Sequence, residues 1–212
     1  MCSNITIVGI GPGSLDYLPP VAKREIEDAD VLIGGSRALD LFSYLNKESF
    51  LIKGDLEEAA AYIRRLPPHK KIAVLVSGDP GFYSFLNYLK KHFPAQLFKV
   101  VPGISSIQVA FARIKASWHD AHLLSLHGRR LENLASYLEG KLKENGKVAI
   151  LTDSKLTPDG IARMLLEEGF TDRKVYVMSD LTLITERVIK LSLKELAQKE
   201  EKGNSVVVLE DV

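Results

Sequence analysis

The segment that most constrains the fold is a buried-type strand followed by a glycine-rich loop. Residues 72–76 (Ile-Ala-Val-Leu-Val) form an unbroken apolar run, and Gly78-Asp79-Pro80-Gly81 follows it. Such a run is typical of a strand that is buried on both faces of a parallel sheet. Apolar residues recur with helical spacing from Phe82 onward, which predicts a helix after the loop. Loops at the carboxyl ends of strands hold ligands in open α/β sheets, although this loop alone is equally consistent with a tight turn that binds nothing.

A second glycine turn follows the first predicted strand, residues 5–9. The stretch Gly9-Ile10-Gly11-Pro12-Gly13-Ser14 is close to a dinucleotide-binding motif, but Ser14 stands where that motif has its third glycine. Pro19-Pro20 delay the next helix, so no helix N-terminus would lie directly behind the glycines to bind a pyrophosphate. The next predicted strand ends in Gly34-Gly35 and not in an acidic residue placed for a ribose. The sequence therefore argues against a nicotinamide or flavin site.

A third glycine turn, Pro102-Gly103-Ile104-Ser105-Ser106, follows a predicted strand at residues 97–101. Ser105 with Gln108 fits a helix-capping box, and serine hydroxyls at a helix start can either cap the helix or hold a polar ligand. Because predicted strands alternate with predicted helices, we expect a parallel sheet with right-handed crossovers. The three turns would then gather on one edge of that sheet.

The pattern changes after Ala116. Five further strands are predicted in the second half, and adjacent strands without a helix between them favour antiparallel pairing; these strands span residues 122–127, 147–151, 174–178, 186–192 and 205–209. We therefore predict an α/β protein of two α/β domains with a cleft between them. Residues 1–115 would form a domain with a parallel sheet and substrate-side turns, and residues 116–212 one with a mixed sheet.

Composition excludes several classes of function. The formal net charge of the 212 residues is +1, so a nucleic-acid or membrane-surface binder is not indicated. The only cysteine is Cys2, so no intramolecular disulfide can form, which suits the cytoplasm. The first residues lack the features of a signal peptide, and no apolar run approaches the ~18 residues of a membrane-spanning helix. No set of His, Cys and Asp residues has metal-ligand spacing, so no metal site is predicted.

These turns, in this order, resemble the signature turns of the tetrapyrrole methylases. The residues that carry the resemblance are Val8–Gly13, Ser77–Gly81 and Val101–Ser106, and the match extends to residues 203–207. Within the family, Ser125-Leu126-His127-Gly128-Arg129 and the short chain are similar to the members that methylate C5 of the corrin ring. The resemblance implies a homodimer that binds S-adenosylmethionine between two α/β domains.

The resemblance also implies which residues contact the cofactor and the substrate. By motif position, the S-adenosylmethionine site would be lined by Pro12, Gly78, Asp79, Phe82, Ser105, Ser106, His127, Thr152 and Asn204. His127 would face the adenine or the macrocycle, and a structural role is also open. For Asp79, an Asx-type turn that holds Gly81 in place is an equally good interpretation.

A corrinoid precursor carries many carboxylates, which arginine binds with two N–H groups at once. Arg37 and Arg129 are the candidate substrate-binding residues, although each is equally compatible with a solvated surface position. No catalytic base is identified. The chain should perform the C5 step alone, with a separate C15-methyltransferase and decarboxylase acting in the same pathway. Two alternatives stay open: a family member that acts at another ring carbon or on protein or RNA, and a nucleotide- or tetrapyrrole-binding protein without turnover.

Overall fold

The computed structural model of the chain describes residues 4–126, 132–201 and 204–210. The chain divides into two compact units between Ser105 and Ser106. Each unit contains a five-stranded sheet. The prediction of an α/β protein with two α/β domains is confirmed.

The first unit alternates strands and helices. Its elements, in chain order, are β1 (Ile5–Gly9), α1 (Pro20–Asp28), β2 (Val31–Gly34), α2 (Ser36–Leu41), β3 (Glu48–Leu51), α3 (Leu56–Arg65), β4 (Ile72–Val76), α4 (Leu86–His92) and β5 (Phe98–Val101). The strand order is β3-β2-β4-β1-β5, and all neighbouring strands are parallel. The parallel sheet predicted from the alternation of elements is therefore confirmed.

Strand β4 is buried along its whole length because helices cover both faces of the first sheet. Ile72, Val74 and Val76 point to the face covered by α3 and α4, where Ile63 and Leu89 complete the apolar cluster. On the other face, Ala73 and Leu75 pack in a cluster with residues of α1 and α2, among them Ala22, Ile26 and Ala38. Alternate residues of one strand thus enter two separate cores, which explains the continuous apolar run.

Local sequence signals explain most helix starts in the first unit. Pro20 is the first residue of α1, as predicted, and the side chain of Asp55 caps α3 by accepting from the N–H groups of Glu57 and Glu58. Gly35 holds the cap position of α2, and Ser36 is the first helical residue. Helix α4 begins at Leu86 and not at Phe82, because intervening Tyr83 has a left-handed φ of 48°.

The second unit has a mixed sheet. Its elements are α5 (Ser106–Arg113), β6 (His122–Ser125), α6 (Leu134–Asn145), β7 (Lys147–Leu151), α7 (Pro158–Glu167), β8 (Lys174–Ser179), β9 (Arg187–Ser192), α8 (Leu193–Ala197) and β10 (Ser205–Glu210). The strand order is β6-β7-β10-β8-β9. Strands β6 and β7 are parallel, and the other pairs are antiparallel, so the sheet is mixed.

Helix α8 is absent from the sequence-based prediction. It begins with a capping box in which the Ser192 hydroxyl accepts from the Glu195 N–H and the Glu195 carboxylate accepts from the Ser192 N–H. These bonds, together with Lys174, lower the pKa of Glu195 to about 2. The helix spans only five residues, which is too short for an apolar period to be visible in the sequence.

In the sequence, the first compact unit ends at Ser105, ten residues before the predicted domain boundary at residue 115. The difference concerns helix α5, which belongs to the second unit and contacts β10 there. Four apolar residues of α5 are buried, namely Ile107, Val109, Ala110 and Phe111. In the described part of the chain, every helix is too short or too polar to cross a bilayer.

Candidate functional site

The three glycine turns of the first unit meet at the carboxyl edge of its sheet. Gly9 at the end of β1 pairs with Val76 at the end of β4, and Val8 pairs with Val101 at the end of β5. Because all three strands are parallel, the turns that follow them emerge at the same edge. The Gly78 N–H donates to the Gly11 carbonyl at 2.8 Å, which joins the first turn to the second. The expected gathering of the turns is therefore present.

Glycine at positions 9 and 103 allows the turns to touch through their main chains. A Cβ at Gly103 would lie 2.2 Å from the Gly78 carbonyl oxygen, and a Cβ at Gly9 would lie 2.5 Å from the Gly103 nitrogen. Both distances are far below ordinary van der Waals contact, so neither position accommodates a side chain without a backbone shift. Gly78 is required for a different reason, because its φ of 68° is left-handed.

Asp79 connects the second turn to the third. One carboxylate oxygen, Oδ1, accepts from the Gly81 N–H at 2.7 Å, and the other, Oδ2, accepts from the Gly103 N–H at 3.0 Å. The first bond confirms the interpretation of Asp79 as an Asx-type turn residue. The second bond was not foreseen, because it depends on β5 lying close to the loop after β4. Asp79 thus holds two turns together.

Several N–H groups of the turns are already engaged within the turns. Each turn contains a proline, which has no N–H: Pro12, Pro80 and Pro102. The N–H groups of Gly78, Gly81, Phe82 and Gly103 all donate to acceptors within the turns. Glycine loops that bind phosphate do so with converging free N–H groups, commonly at a helix N-terminus. After the first turn, α1 begins only at Pro20, so no helix N-terminus lies directly behind those glycines to bind a phosphate.

Arg37 lies beside the first turn. It is an exposed residue of α2, and its Nη2 donates to the Pro12 carbonyl at 2.5 Å. The structure therefore brings together a predicted substrate-binding residue and a predicted cofactor-binding residue. A guanidinium has five N–H groups in a planar arrangement, so this bond leaves donors for a carboxylate.

Two aromatic residues follow the Gly78–Gly81 segment. The Phe82 N–H donates to the Asp79 carbonyl at 3.1 Å, and the Phe82 ring meets the Tyr83 ring edge to face with centroids 4.8 Å apart. Tyr83 was not among the predicted site residues. Its left-handed φ is unusual for a bulky residue, and its side chain is 41% exposed. No sequence signal distinguishes Tyr83 from its neighbours, because the strained angle depends on the surrounding loop.

The two predicted serines lie at the third turn. Ser105 is close to Gly78, since a Cβ on that glycine would lie 3.7 Å from the Ser105 Cα. Ser106 is the first residue of α5 and is half-buried. Ser105 therefore lies at the same sheet edge as the other turns of the first unit.

The remaining predicted residues belong to the second unit. Thr152, which is buried, accepts from the Ser205 N–H at 3.0 Å through its hydroxyl and donates its own N–H to the Ser205 carbonyl at 3.0 Å. Asn204 immediately precedes Ser205 and is exposed. The structure thus places Thr152 and Asn204 near each other, and the Thr152 hydroxyl joins the end of β7 to the start of β10. His127 and Arg129 lie outside the described residues.

Over the described ranges, no group of three or more His, Cys, Asp or Glu side chains is arranged to hold a metal ion. The polar groups at the sheet edge are instead main-chain atoms, Asp79 and Arg37. This set can orient a ligand through shape and hydrogen bonds.

Comparison with known proteins gives a consistent assignment. Residues 4–197 match the model of the family described as Tetrapyrrole (Corrin/Porphyrin) Methylases. The probable cobalt-precorrin-7 C(5)-methyltransferase of Methanocaldococcus jannaschii is 37% identical over 210 residues, which cover 97% of both chains. The cobalt-precorrin-7 C(5)-methyltransferase of Salmonella typhimurium is 34% identical over 211 residues, which cover 98% of this chain and 99% of that one.

Solved structures share the fold. The precorrin-6Y methylase from Archaeoglobus fulgidus has a TM-score of 0.77, 23% sequence identity and full coverage of both chains. The uroporphyrin-III C-methyl transferase from Thermus thermophilus, solved with S-adenosyl homocysteine, has a TM-score of 0.73 and 19% identity, and the match covers 98% of this chain and 92% of that one. The chain has the three glycine turns, one parallel sheet and one mixed sheet. Together with these matches, they show that the chain belongs to the tetrapyrrole (corrin/porphyrin) methylases.

Proposed function

We propose that this protein transfers a methyl group from S-adenosylmethionine to C5 of a cobalt-precorrin in cobalamin biosynthesis. The observation that carries the proposal is the match of residues 4–197 to the tetrapyrrole methylases, a family that uses S-adenosylmethionine as its methyl donor. The full-length similarity to two C5-methyltransferases supports the choice of reaction.

The proposed cofactor-binding residues come from both units. In the first unit they are the residues of the glycine edge, namely Pro12, Gly78, Asp79, Phe82 and Ser105. In the second they are Ser106, His127, Thr152 and Asn204. The predicted cleft between the domains stays a prediction. Gly78 lets a ligand approach the main chain closely, because no side chain projects there.

The reaction requires little covalent chemistry from the protein. Bound S-adenosylmethionine supplies an electrophilic methyl group on a positively charged sulfur. In the proposed reaction, a carbon–carbon bond would form at C5 as the carbon–sulfur bond of the donor breaks, the ring system would lose a proton, and S-adenosylhomocysteine would be released. The side chains and turns have to hold the donor and the ring carbon in line, and such positioning can supply roughly 7–11 kcal/mol of the barrier.

The proposed substrate-binding residues are Arg37 and Arg129, which would pair with carboxylates of the macrocycle. Arg37 is supported by its place beside the first glycine turn, where the Pro12 carbonyl holds one N–H and orients the guanidinium. Carboxylates bind such a planar group through two N–H bonds. Any cobalt would arrive with the substrate.

We also propose that the protein is a cytoplasmic homodimer and that a separate enzyme performs the C15 methylation and decarboxylation. The names of the two full-length relatives mention the C(5) position alone. Sedimentation equilibrium of the purified protein tests the dimer, and a monomer at micromolar concentration would contradict it.

Calorimetric titration with S-adenosylhomocysteine tests the cofactor, with ADP as the matched nucleotide that carries phosphates. We expect saturable binding of S-adenosylhomocysteine at one site per chain and much weaker binding of ADP. Incubation with methyl-labelled S-adenosylmethionine and cobalt-precorrin-7, followed by NMR of the product, tests the position of the new methyl group. Binding of ADP alone would refute the proposal, and a methyl group on another ring carbon would refute the C5 assignment.

A further inference from the structure

We propose that Asp79 is a positioning residue, whose carboxylate fixes the distance between the Gly78–Gly81 segment and the Gly103 turn. It would set the affinity for the cofactor through that distance and not through attraction to the positive charge of the sulfonium. The inference rests on the proposed function of this site. The alternative role is direct neutralisation of the cofactor's positive charge by Asp79.

The geometry of the carboxylate supports this role. Its two oxygens accept from two N–H groups that lie in different turns, those of Gly81 and Gly103. A carboxylate is planar and rigid, so two such bonds fix both turns relative to one group. Gly103 has no side chain, and its main chain is already pressed against Gly9 and the Gly78 carbonyl. The third turn is therefore held by close packing on one side and by Asp79 on another.

The direction of the same bonds argues against a direct electrostatic role. Both carboxylate oxygens are engaged by backbone N–H groups, whose positive ends offset the negative charge. A sulfonium would have to share oxygens that are already directed toward Gly81 and Gly103. The positioning role uses the contacts that the structure contains.

Asp79→Asn separates the two roles. An amide has one acceptor oxygen, so the variant can satisfy Gly81 or Gly103 but not both, and it also loses the charge. If Asp79 acts by position, affinity should fall by the same factor, about 10-fold, for cationic S-adenosylmethionine and neutral S-adenosylhomocysteine. If it acts by charge, the loss should be several-fold larger for S-adenosylmethionine. Isothermal titration of both ligands measures the two factors.

Asp55→Asn is the matched control. The Asp55 carboxylate also accepts two backbone N–H groups, but both bonds end on the same oxygen, Oδ1. An asparagine can keep both bonds, so we expect unchanged affinity for the two ligands. A similar loss in this control would show that the Asp79→Asn effect is a general consequence of removing a charge from the first unit.

A second measurement uses the wild-type protein and does not depend on the variant folding. The amide protons of Gly81 and Gly103 should both be protected from hydrogen exchange in NMR spectra, because both donate to the Asp79 carboxylate. Fast exchange of either amide, unchanged affinity in Asp79→Asn, or a loss confined to S-adenosylmethionine would each overturn the inference. If the wild-type protein binds neither ligand, the proposed function fails, and the hydrogen exchange still tests whether Asp79 joins the turns.

Discussion

Replacement of Gly103 by alanine should destabilise the protein strongly and weaken cofactor binding. The added Cβ would lie 2.2 Å from the Gly78 carbonyl oxygen, 2.7 Å from the Gly9 carbonyl carbon and 2.8 Å from the Gly9 Cα. All three are backbone atoms of neighbouring turns, so no side-chain rotation can relieve the clash. The cost of overpacking is about 1–3 kcal/mol in ordinary sites, and we expect about 3 kcal/mol here because the obstacle is main chain.

Thermal unfolding followed by far-UV circular dichroism measures this cost. For a chain of this length, about 3 kcal/mol corresponds to a decrease in Tm of roughly 6–12 °C. Two glycines that face open space serve as controls. Gly140→Ala lies inside α6 and should raise stability by about 0.5–1 kcal/mol, because alanine favours the helix. Gly35→Ala, at an extended backbone position, should be nearly neutral.

The affinity for S-adenosylhomocysteine provides a second readout for Gly103→Ala. To relieve the clash, the third turn must move away from Gly78, so the ligand should bind at least several-fold more weakly even in the folded variant. A variant with wild-type Tm and wild-type affinity would refute the argument that these turns are held in place by the absence of side chains.

Three further outcomes are expected. Thr152→Val keeps the shape of the side chain but leaves the buried Ser205 N–H without its acceptor, and should cost about 1–3 kcal/mol in urea denaturation; an unchanged midpoint would contradict the role of the hydroxyl. The pKa of Glu195 is lowered from 4.5 to about 2 in the folded state, so its contribution to stability is present above pH 4.5 and is lost as the pH falls toward 2. The stability difference between wild type and Glu195→Gln should therefore shrink over that range, and a constant difference would exclude this linkage. Arg37→Lys should raise the KM for the corrinoid with little change in kcat, because lysine cannot form the planar pair of bonds; equal KM values would remove Arg37 from the substrate site.

Elements of the first unit could be predicted where a local physical requirement determines the residue type. Residues 72–76 are apolar at every position since their side chains enter two cores, and Asp55 precedes α3 since the helix needs a cap. The glycine turns could be placed at one edge because parallel strands end together. These features depend on local sequence and on strand direction alone.

Other features depend on contacts between distant segments and could not be predicted. The bond between Asp79 and the Gly103 N–H requires the register of β1 with both β4 and β5. The left-handed φ of Tyr83, which delays α4, is imposed by the loop around it. The assignment of α5 to the second unit follows from its packing and not from its composition, which is apolar enough for either unit.

The glycine edge is assembled almost wholly from main-chain atoms, and this has a consequence for how the protein can change. The contacts among Gly9, Gly11, Gly78 and Gly103 place no demand on the chemical identity of the side chains that project beyond them. An exposed neighbour such as Arg37 can therefore be exchanged without disturbing the contacts among these glycines. In such a scaffold, the main chain would bind the methyl donor and the peripheral side chains would select the methyl acceptor. New acceptor specificities can therefore be engineered by replacing peripheral side chains while the turns stay constant.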